Sequence, residues 1–157
     1  KLVILGLIWG GWVFAQADKS RSEFVFGGFS WVKGERLEIA SNKMGMSLDE
    51  RRVEFKGKVV VKKGKSEIYC DELVLGYSKD GEVEWLKASG SVRIEEGEIF
   101  AIGRELEYLR RENQLVLRGE PMLVNKRQTM FGEEMRIDLG LNRLVVVSPR
   151  IQIQGEE

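Results

Sequence analysis

From Val53 to Val61, Val-Glu-Phe-Lys-Gly-Lys-Val-Val-Val, the apolar side chains of Val53, Phe55, Val59 and Val61 fall on every second position, with Gly57 in the same phase. Glu54, Lys56 and Lys58 take the other phase. A period of two sends alternate side chains to opposite faces, so the stretch predicts a strand with one dry face. Apolar alternation around a central glycine recurs in Val83–Ile94 and in Leu115–Val124. Aligned on that glycine, Gly57, Gly90 and Gly119 are followed by Ser148 within Leu144–Ile153, at intervals of 33, 29 and 29 residues. Other positions keep step: Ala40, Cys70, Ala101 and Phe131 each follow an alternating pair, and Leu48, Tyr77, Tyr108 and Ile137 each precede a polar turn. Those turns are Asp49–Arg52, Ser78–Gly81, Arg110–Asn113 and Gly140–Asn142, with a further one at Lys62–Ser66. Repeats of this length that read as strands predict a stack of β units, none able to bury its apolar face alone.

No stretch from residue 18 onward carries a helical period. There are 18 glycines and only 2 prolines, and Pro121, inside a strand-like run, suits an edge or a bulge. The prediction is an all-β chain of about a dozen or more short antiparallel strands; a closed barrel with an interior ligand, a sandwich and an open roll all fit it. Glu23–Val32, apolar and aromatic, predicts an N-terminal strand bent at Gly27-Gly28. Before it, Lys1, the apolar run Leu2–Phe14 and Ala15-Gln-Ala17 read as a signal peptide cleaved after Ala17, leaving one domain over 18–157. The apolar run is 13 residues, short of the roughly 20 that a spanning helix needs.

Export and composition narrow the chemistry. Cys70 is the single cysteine, so no internal disulfide forms, and within Ile68-Tyr-Cys-Asp71 it reads as a small apolar residue on a strand. Lysine plus arginine and aspartate plus glutamate number 25 each and alternate along the strands, which excludes a basic stripe for nucleic acid. The chain has no histidine, which removes the commonest general base, the usual triads and most zinc sites. The carboxylate pairs Asp71-Glu72, Glu95-Glu96 and Glu133-Glu134 fall at turns or on polar phases, as solvated surface does. Gly64-Lys65-Ser66 resembles the end of a phosphate-binding loop, but Val59 stands where the first glycine is needed and a strand follows, so a hairpin turn is expected. No catalytic residue, metal site or cofactor is predicted.

What remains is apolar surface on the in-phase side of the strands. It comprises Phe55, Val59 and Val61; Ile68; Val83, Trp85, Val92 and Ile94; Ile99, Leu106 and Tyr108; Leu115, Leu117 and Leu123; and Phe131, Met135, Ile137 and Val146. These either fill an ordinary core or line a seam between two folded-over sheets that accepts acyl chains. Periodicity fits both.

The run from Leu37-Glu-Ile-Ala40 through Val53-Glu-Phe-Lys-Gly-Lys-Val-Val-Val61 resembles the OstA/LptA family of lipopolysaccharide transport proteins. Ile68-Tyr-Cys-Asp-Glu-Leu73, Ala88-Ser-Gly-Ser-Val92, Ala101–Tyr108, Asn113–Pro121 and Leu139–Val147 continue the likeness, which covers Arg36 to Ile153. The resemblance implies an OstA-like β-jellyroll, an open roll of antiparallel strands built from repeats of about 30 residues. It further implies a periplasmic protein that receives the lipid A acyl chains of lipopolysaccharide on the apolar residues named above and bridges inner and outer membranes. Copies would join head to tail through the Phe24–Val32 and Arg143–Gln154 edges, with LptC-like and LptD-like components as partners. The same module occurs in LptC and in the periplasmic portion of LptD; the Ala15-Gln-Ala17 exit argues against the first, and the absence of a following membrane-barrel region argues against the second. The other reading the residues allow is an adaptor β domain with a closed core that binds proteins only.

Overall fold

The computed structural model describes residues 36–141 and 143–155. The expected signal peptide and the Phe24–Val32 strand lie outside the described residues, as does Asn142. Every regular element described is a strand: β1 Leu37–Ala40, β2 Lys43–Ser47, β3 Arg52–Lys63, β4 Ser66–Tyr77, β5 Val83–Glu96, β6 Ile99–Leu109, β7 Gln114–Arg118, β8 Met122–Val124, β9 Gln128–Phe131, β10 Glu134–Asp138, β11 Arg143–Val147 and β12 Arg150–Ile153. Twelve agrees with the expected dozen, but the strands are not all short: β3 to β6 run 11 to 14 residues each.

All pairings are antiparallel. β1 and β2 lie end to end along β3, β7 and β8 end to end along β6, β10 and β9 along β7 and β8, and β11 and β12 along β10 and β9. The result is a meander of eight long segments, each interrupted or bulged at mid-length. The interruption is where the repeat glycines stand. Gly57, Gly90 and Gly119 have φ of 79°, 78° and 79°, and Ser148 takes the same left-handed region at 52°. Lys58, Ser91 and Glu120, the residues after the glycines, are left-handed too. Two consecutive left-handed residues break the ladder, and the registers shift there, between Lys56 and Val59 on β3 and between Ser89 and Val92 on β5. Pro121 follows the Gly119-Glu120 pair between β7 and β8, where no ladder donor is needed. The turns at 48–51, 78–82 and 110–113 match the polar turns of the sequence.

Each bend divides its segment into two arms. Val53, Leu73, Leu75, Leu86, Ala88, Leu106, Tyr108, Leu115, Leu117, Met135 and Ile137 are buried on one arm, and Val59, Val61, Ile68, Cys70, Val92, Ile94, Ala101, Leu123 and Met130 on the other. They form one cluster, although no helix or second sheet covers them among the described residues. A single sheet dries its inner face only by folding one arm onto the other, so the molecule is an open roll with its core between the arms. Among the described residues the first segment, β1 and β2, does not pair with the last, β11 and β12, so their sheet is open and not a closed barrel.

Candidate functional site

The candidate site is this inner face. Twelve of the eighteen expected lining residues are buried in the core: Val59, Val61, Ile68, Val92, Ile94, Leu106, Tyr108, Leu115, Leu117, Leu123, Met135 and Ile137. Phe55, Val83, Ile99 and Val146 are partly buried and pack against it.

Two residues stand elsewhere, and each marks a break in alternation. Tyr77 pairs with Val83 and Gly76 with Trp85, so Glu84 is an extra residue on β5 and the phase reverses across it. Val83 stays with the core, Glu84 and Trp85 are exposed, and Leu86 is buried. The Trp85 indole lies against the α-carbon of Gly76 on the outer face, where no larger residue would leave it room. On β9 the buried residue is Met130, in register with Leu123 and Ile151, and Phe131 faces outward with the Arg150 guanidinium 4.7 Å from its ring centre. Ala101 and Leu106 are five residues apart, as are Met130 and Met135, so Met130 and not Phe131 is the counterpart of Ala101. A slip of one residue exchanges the faces.

Sequence reasoning passed over further inner residues. Leu73, Leu75, Leu86, Ala88 and Met130 are buried members of the same cluster, and a phase count restarted at each bend would have found them. At the first edge, Met44 pairs with Phe55 and Met46 with Val53, so both belong to the inner phase, and they are exposed by 60% and 54%. At the last edge Leu144, Val146, Ile151 and Ile153 continue the inner rows of Ile137, Met135, Met130 and Gln128. Ile151 is 50% and Ile153 68% exposed. Among the described residues the interior is therefore dry in the middle and open along both edge segments.

Of the polar groups on the inner phase, Lys63, Ser66 and Glu96 gather at the hairpin turns, where the Ser66 hydroxyl donates to Glu96 at 2.9 Å. The remaining charge lies on outer faces in cross-strand ladders. Lys62 pairs with Glu67 at 3.0 Å, the Tyr69 hydroxyl donates to Glu67, and Arg93 stacks 4.2 Å over the Tyr69 ring. The Tyr69 hydrogen bond, then that of Lys62, holds the Glu67 carboxyl below its usual range. Arg118 donates to Glu134 at 2.7 Å and to Glu107 at 3.0 Å, and Arg136 donates to Glu134 as well. Burial, with the Asp71 carboxylate, pushes the Cys70 thiol up to about 11, so it stays protonated and inert within the core.

Three of the six carboxylates singled out for covalent chemistry are engaged in structural contacts. Glu95 pairs with Arg93 at 3.1 Å, Glu96 accepts from Ser66, and Glu134 is held by two arginines. Gly64-Lys65 is a two-residue turn with Ser66 opening β4, as expected for a hairpin. No group of carboxylates and cysteine that could hold a metal ion occurs among the described residues.

A family model described as LptA/(LptD N-terminal domain) LPS transport protein matches residues 38–142, from β1 to β10. Among solved structures the chain is similar to LptH of Pseudomonas aeruginosa, described as the LptA homologous periplasmic component of the conserved lipopolysaccharide transport device. The two are 17% identical with a TM-score of 0.67, and the match covers 78% of this chain and 96% of that one. At that identity the likeness is one of fold, and the fold is the LptA-like roll of antiparallel strands. No curated protein sequence matches the chain. Given a family model that spans the meander from its first strand to its tenth, this chain belongs to the LptA/LptD N-terminal-domain family of lipopolysaccharide transport proteins.

Proposed function

We propose that the protein is a periplasmic lipopolysaccharide-binding bridge, which takes the acyl chains of lipid A along its inner face and passes them between inner and outer membranes. The observation that carries this reading is an apolar face closed in the middle and open at both edge segments, Met44 and Met46 at one and Ile151 and Ile153 at the other. Burying an acyl methylene contributes about 0.8 kcal/mol, so a few chains hold the lipid against water. Chains that slip between the arms exchange one apolar contact for another, which keeps the barrier to sliding low. Strand edges unpaired among the described residues at the two ends suit head-to-tail addition of further copies, which would extend the groove from one protomer to the next. LptC-like and LptD-like components would receive the two ends, and an energy-consuming partner at the inner membrane would set the direction.

The test is native mass spectrometry of the purified chain, mixed without detergent with lipopolysaccharide or with an unrelated phospholipid. A stoichiometric lipopolysaccharide adduct and a ladder of oligomers are expected, with no phospholipid adduct. A folded protein that takes up no lipid would sink the carrier. The other reading, an adaptor domain with a closed core, draws on the shut middle of the roll, where Leu73, Leu106 and Met135 are wholly buried. Phe55→Asp separates the two readings. Phe55 is only partly buried, so a carrier keeps its fold and loses lipid, whereas a core that must stay closed unfolds.

A further inference from the structure

The outer faces of the two arms are not alike. On the first arm Lys87, Glu107, Val116 and Arg136 stand in one outer row across β5, β6, β7 and β10, and all but Val116 are charged. On the second arm the row from β4 to β9 is Tyr69, Arg93, Ile102, Met122 and Phe131. Its last three members are apolar, adjacent and only partly buried.

Where this row meets the bend, the wall of the roll is hollowed. The β5–β6 register shifts between Ser89 and Val92. β6 leaves β7 at Glu105 and joins β8 only at Ile102, so among the described residues Gly103 and Arg104 pair with neither. The hollow left there has a volume of about 530 Å³, within the range of roughly 300–1,000 Å³ usual for small-molecule sites. Tyr69, Val92 and Ile102 line it, and Arg93, Arg104 and Glu120 bring charge to it. The Arg93 guanidinium lies 4.2 Å from the centre of the Tyr69 ring, which sets one cation beside the apolar wall. Arg104 donates to Glu120 at 2.7 Å, and the two side chains are exposed by 71% and 83%. A pair so exposed is weak, so Glu120 turns out into water at little cost and marks where an outside anion would sit.

We infer that this hollow is a second binding site, on the outer face, for an amphiphile with one alkyl chain and a phosphate head. The head displaces Glu120 from Arg104 and is shared with Arg93, since guanidinium groups hold phosphate oxygens through charge-assisted, paired hydrogen bonds. The chain lies on Ile102 and runs on toward Met122 and Phe131, covering apolar surface that the described strands leave partly open. The site stands independently of what the inner face carries.

The test titrates the full chain, isotopically labelled at its isoleucine methyl groups, with decyl phosphate, decanol or inorganic phosphate, all below the onset of micelles. Decyl phosphate should shift the Ile102 methyl resonance saturably and leave that of Ile94, buried on the inner face, in place. Decanol and inorganic phosphate each lack one half of the ligand and should bind at least roughly tenfold more weakly, as should decyl phosphate to Arg104→Gln. Glu120→Gln removes the internal competitor and should tighten decyl phosphate roughly threefold, the scale of an exposed ion pair. An Ile94 signal that keeps its position in the unliganded variants shows the core intact. Movement of Ile94 in place of Ile102 would put the chain in the interior and overturn the inference, and so would an Ile102 signal that decyl phosphate never shifts. Decanol bound as tightly as decyl phosphate, or affinity unchanged in both Arg104→Gln and Glu120→Gln, would deny the anionic head and overturn it equally.

Discussion

The middle of the roll and its two edges carry the same alternation, yet they differ in everything that alternation is usually taken to predict. Met135 on β10 has Leu117 beside it on β7 and Val146 on β11, and it is wholly buried. Among the described residues Ile153 on β12 has a strand neighbour on one side only, Gln128, and it is 68% exposed. Both face inward. A residue here is buried by two flanking strands and the opposite arm together, so burial follows place in the meander and not hydrophobicity. Large aliphatic side chains on an inner face that the described strands do not cover leave that face for something else.

The largest effect expected from this contrast is on stability. Leu106→Ala removes a side chain with no exposed surface and should cost about 3 kcal/mol in urea denaturation. Ile153→Ala should stay within about 0.5 kcal/mol. Equal losses at the two sites would mean that the edges are as well packed as the middle, and the comparison would fail.

The bends give a second, smaller contrast. A β-carbon at Gly90 would stand 2.8 Å from that of Asp71 and 2.4 Å from its Oδ2, in a backbone of φ 78°. Gly90→Ala should therefore cost about 2 kcal/mol. At the last edge the same backbone position is held by Ser148 at φ 52°, with strain already present. Ser148→Gly should gain about 0.5 kcal/mol, part of the relieved strain being lost to a more flexible unfolded chain. A gain at Gly90 or a loss at Ser148 would deny that the four positions are one repeated bend.

Those bends were legible in the sequence because only glycine tolerates the conformation well and because the turns keep a fixed distance from it. The all-β class and the polar turns at 48–51, 64–65, 78–82 and 110–113 were legible for similar local reasons. The inner face was read incompletely because its phase is not constant along the chain. On β4 the buried residues run Ile68, Cys70, then Leu73 and Leu75, and on β6 Ala101, then Leu106 and Tyr108. A count that ignores the two outward residues at each bend, or the extra Glu84, puts Trp85 and Phe131 inside and leaves Leu73, Leu86 and Met130 out. The openness of the edges has no local signature at all. Ile153 and Ile94 sit in the same alternating pattern, and what separates them is which strands lie alongside.

That openness is what lipid binding should sense. Ile151→Asp puts a charge on the exposed inner row at the last edge, where an acyl chain must shed it from water. The variant should fold and bind lipopolysaccharide at least tenfold more weakly, which corresponds to about 1.4 kcal/mol. Trp85→Ala, a larger loss of apolar area on the outer face, should leave affinity unchanged. If Trp85→Ala weakens binding and Ile151→Asp does not, the lipid rides on the wrong face of the sheet.

The smallest effect concerns the ladder that joins middle to edge. Glu134 on β10 accepts hydrogen bonds from Arg136 and from Arg118 of β7, and Arg118 also reaches Glu107 of β6 at 3.0 Å. The Arg136 contact, then that of Arg118, holds the Glu134 carboxyl below its usual value of 4.5. A carboxylate whose folded pKa is depressed stabilises the fold fully above its unfolded pKa, and this contribution fades as pH falls from there through the folded value. At pH 7 the protein should exceed Glu134→Gln by about 0.5 to 1 kcal/mol, the range of partly exposed pairs in a network. Denaturation repeated at falling pH should show the two curves converge below the usual glutamate range. A difference that stays constant down to that acidity would mean that the substituted amide packs worse for reasons of shape, and that the arginine ladder does not tie β10, and the edge beyond it, to the middle of the roll.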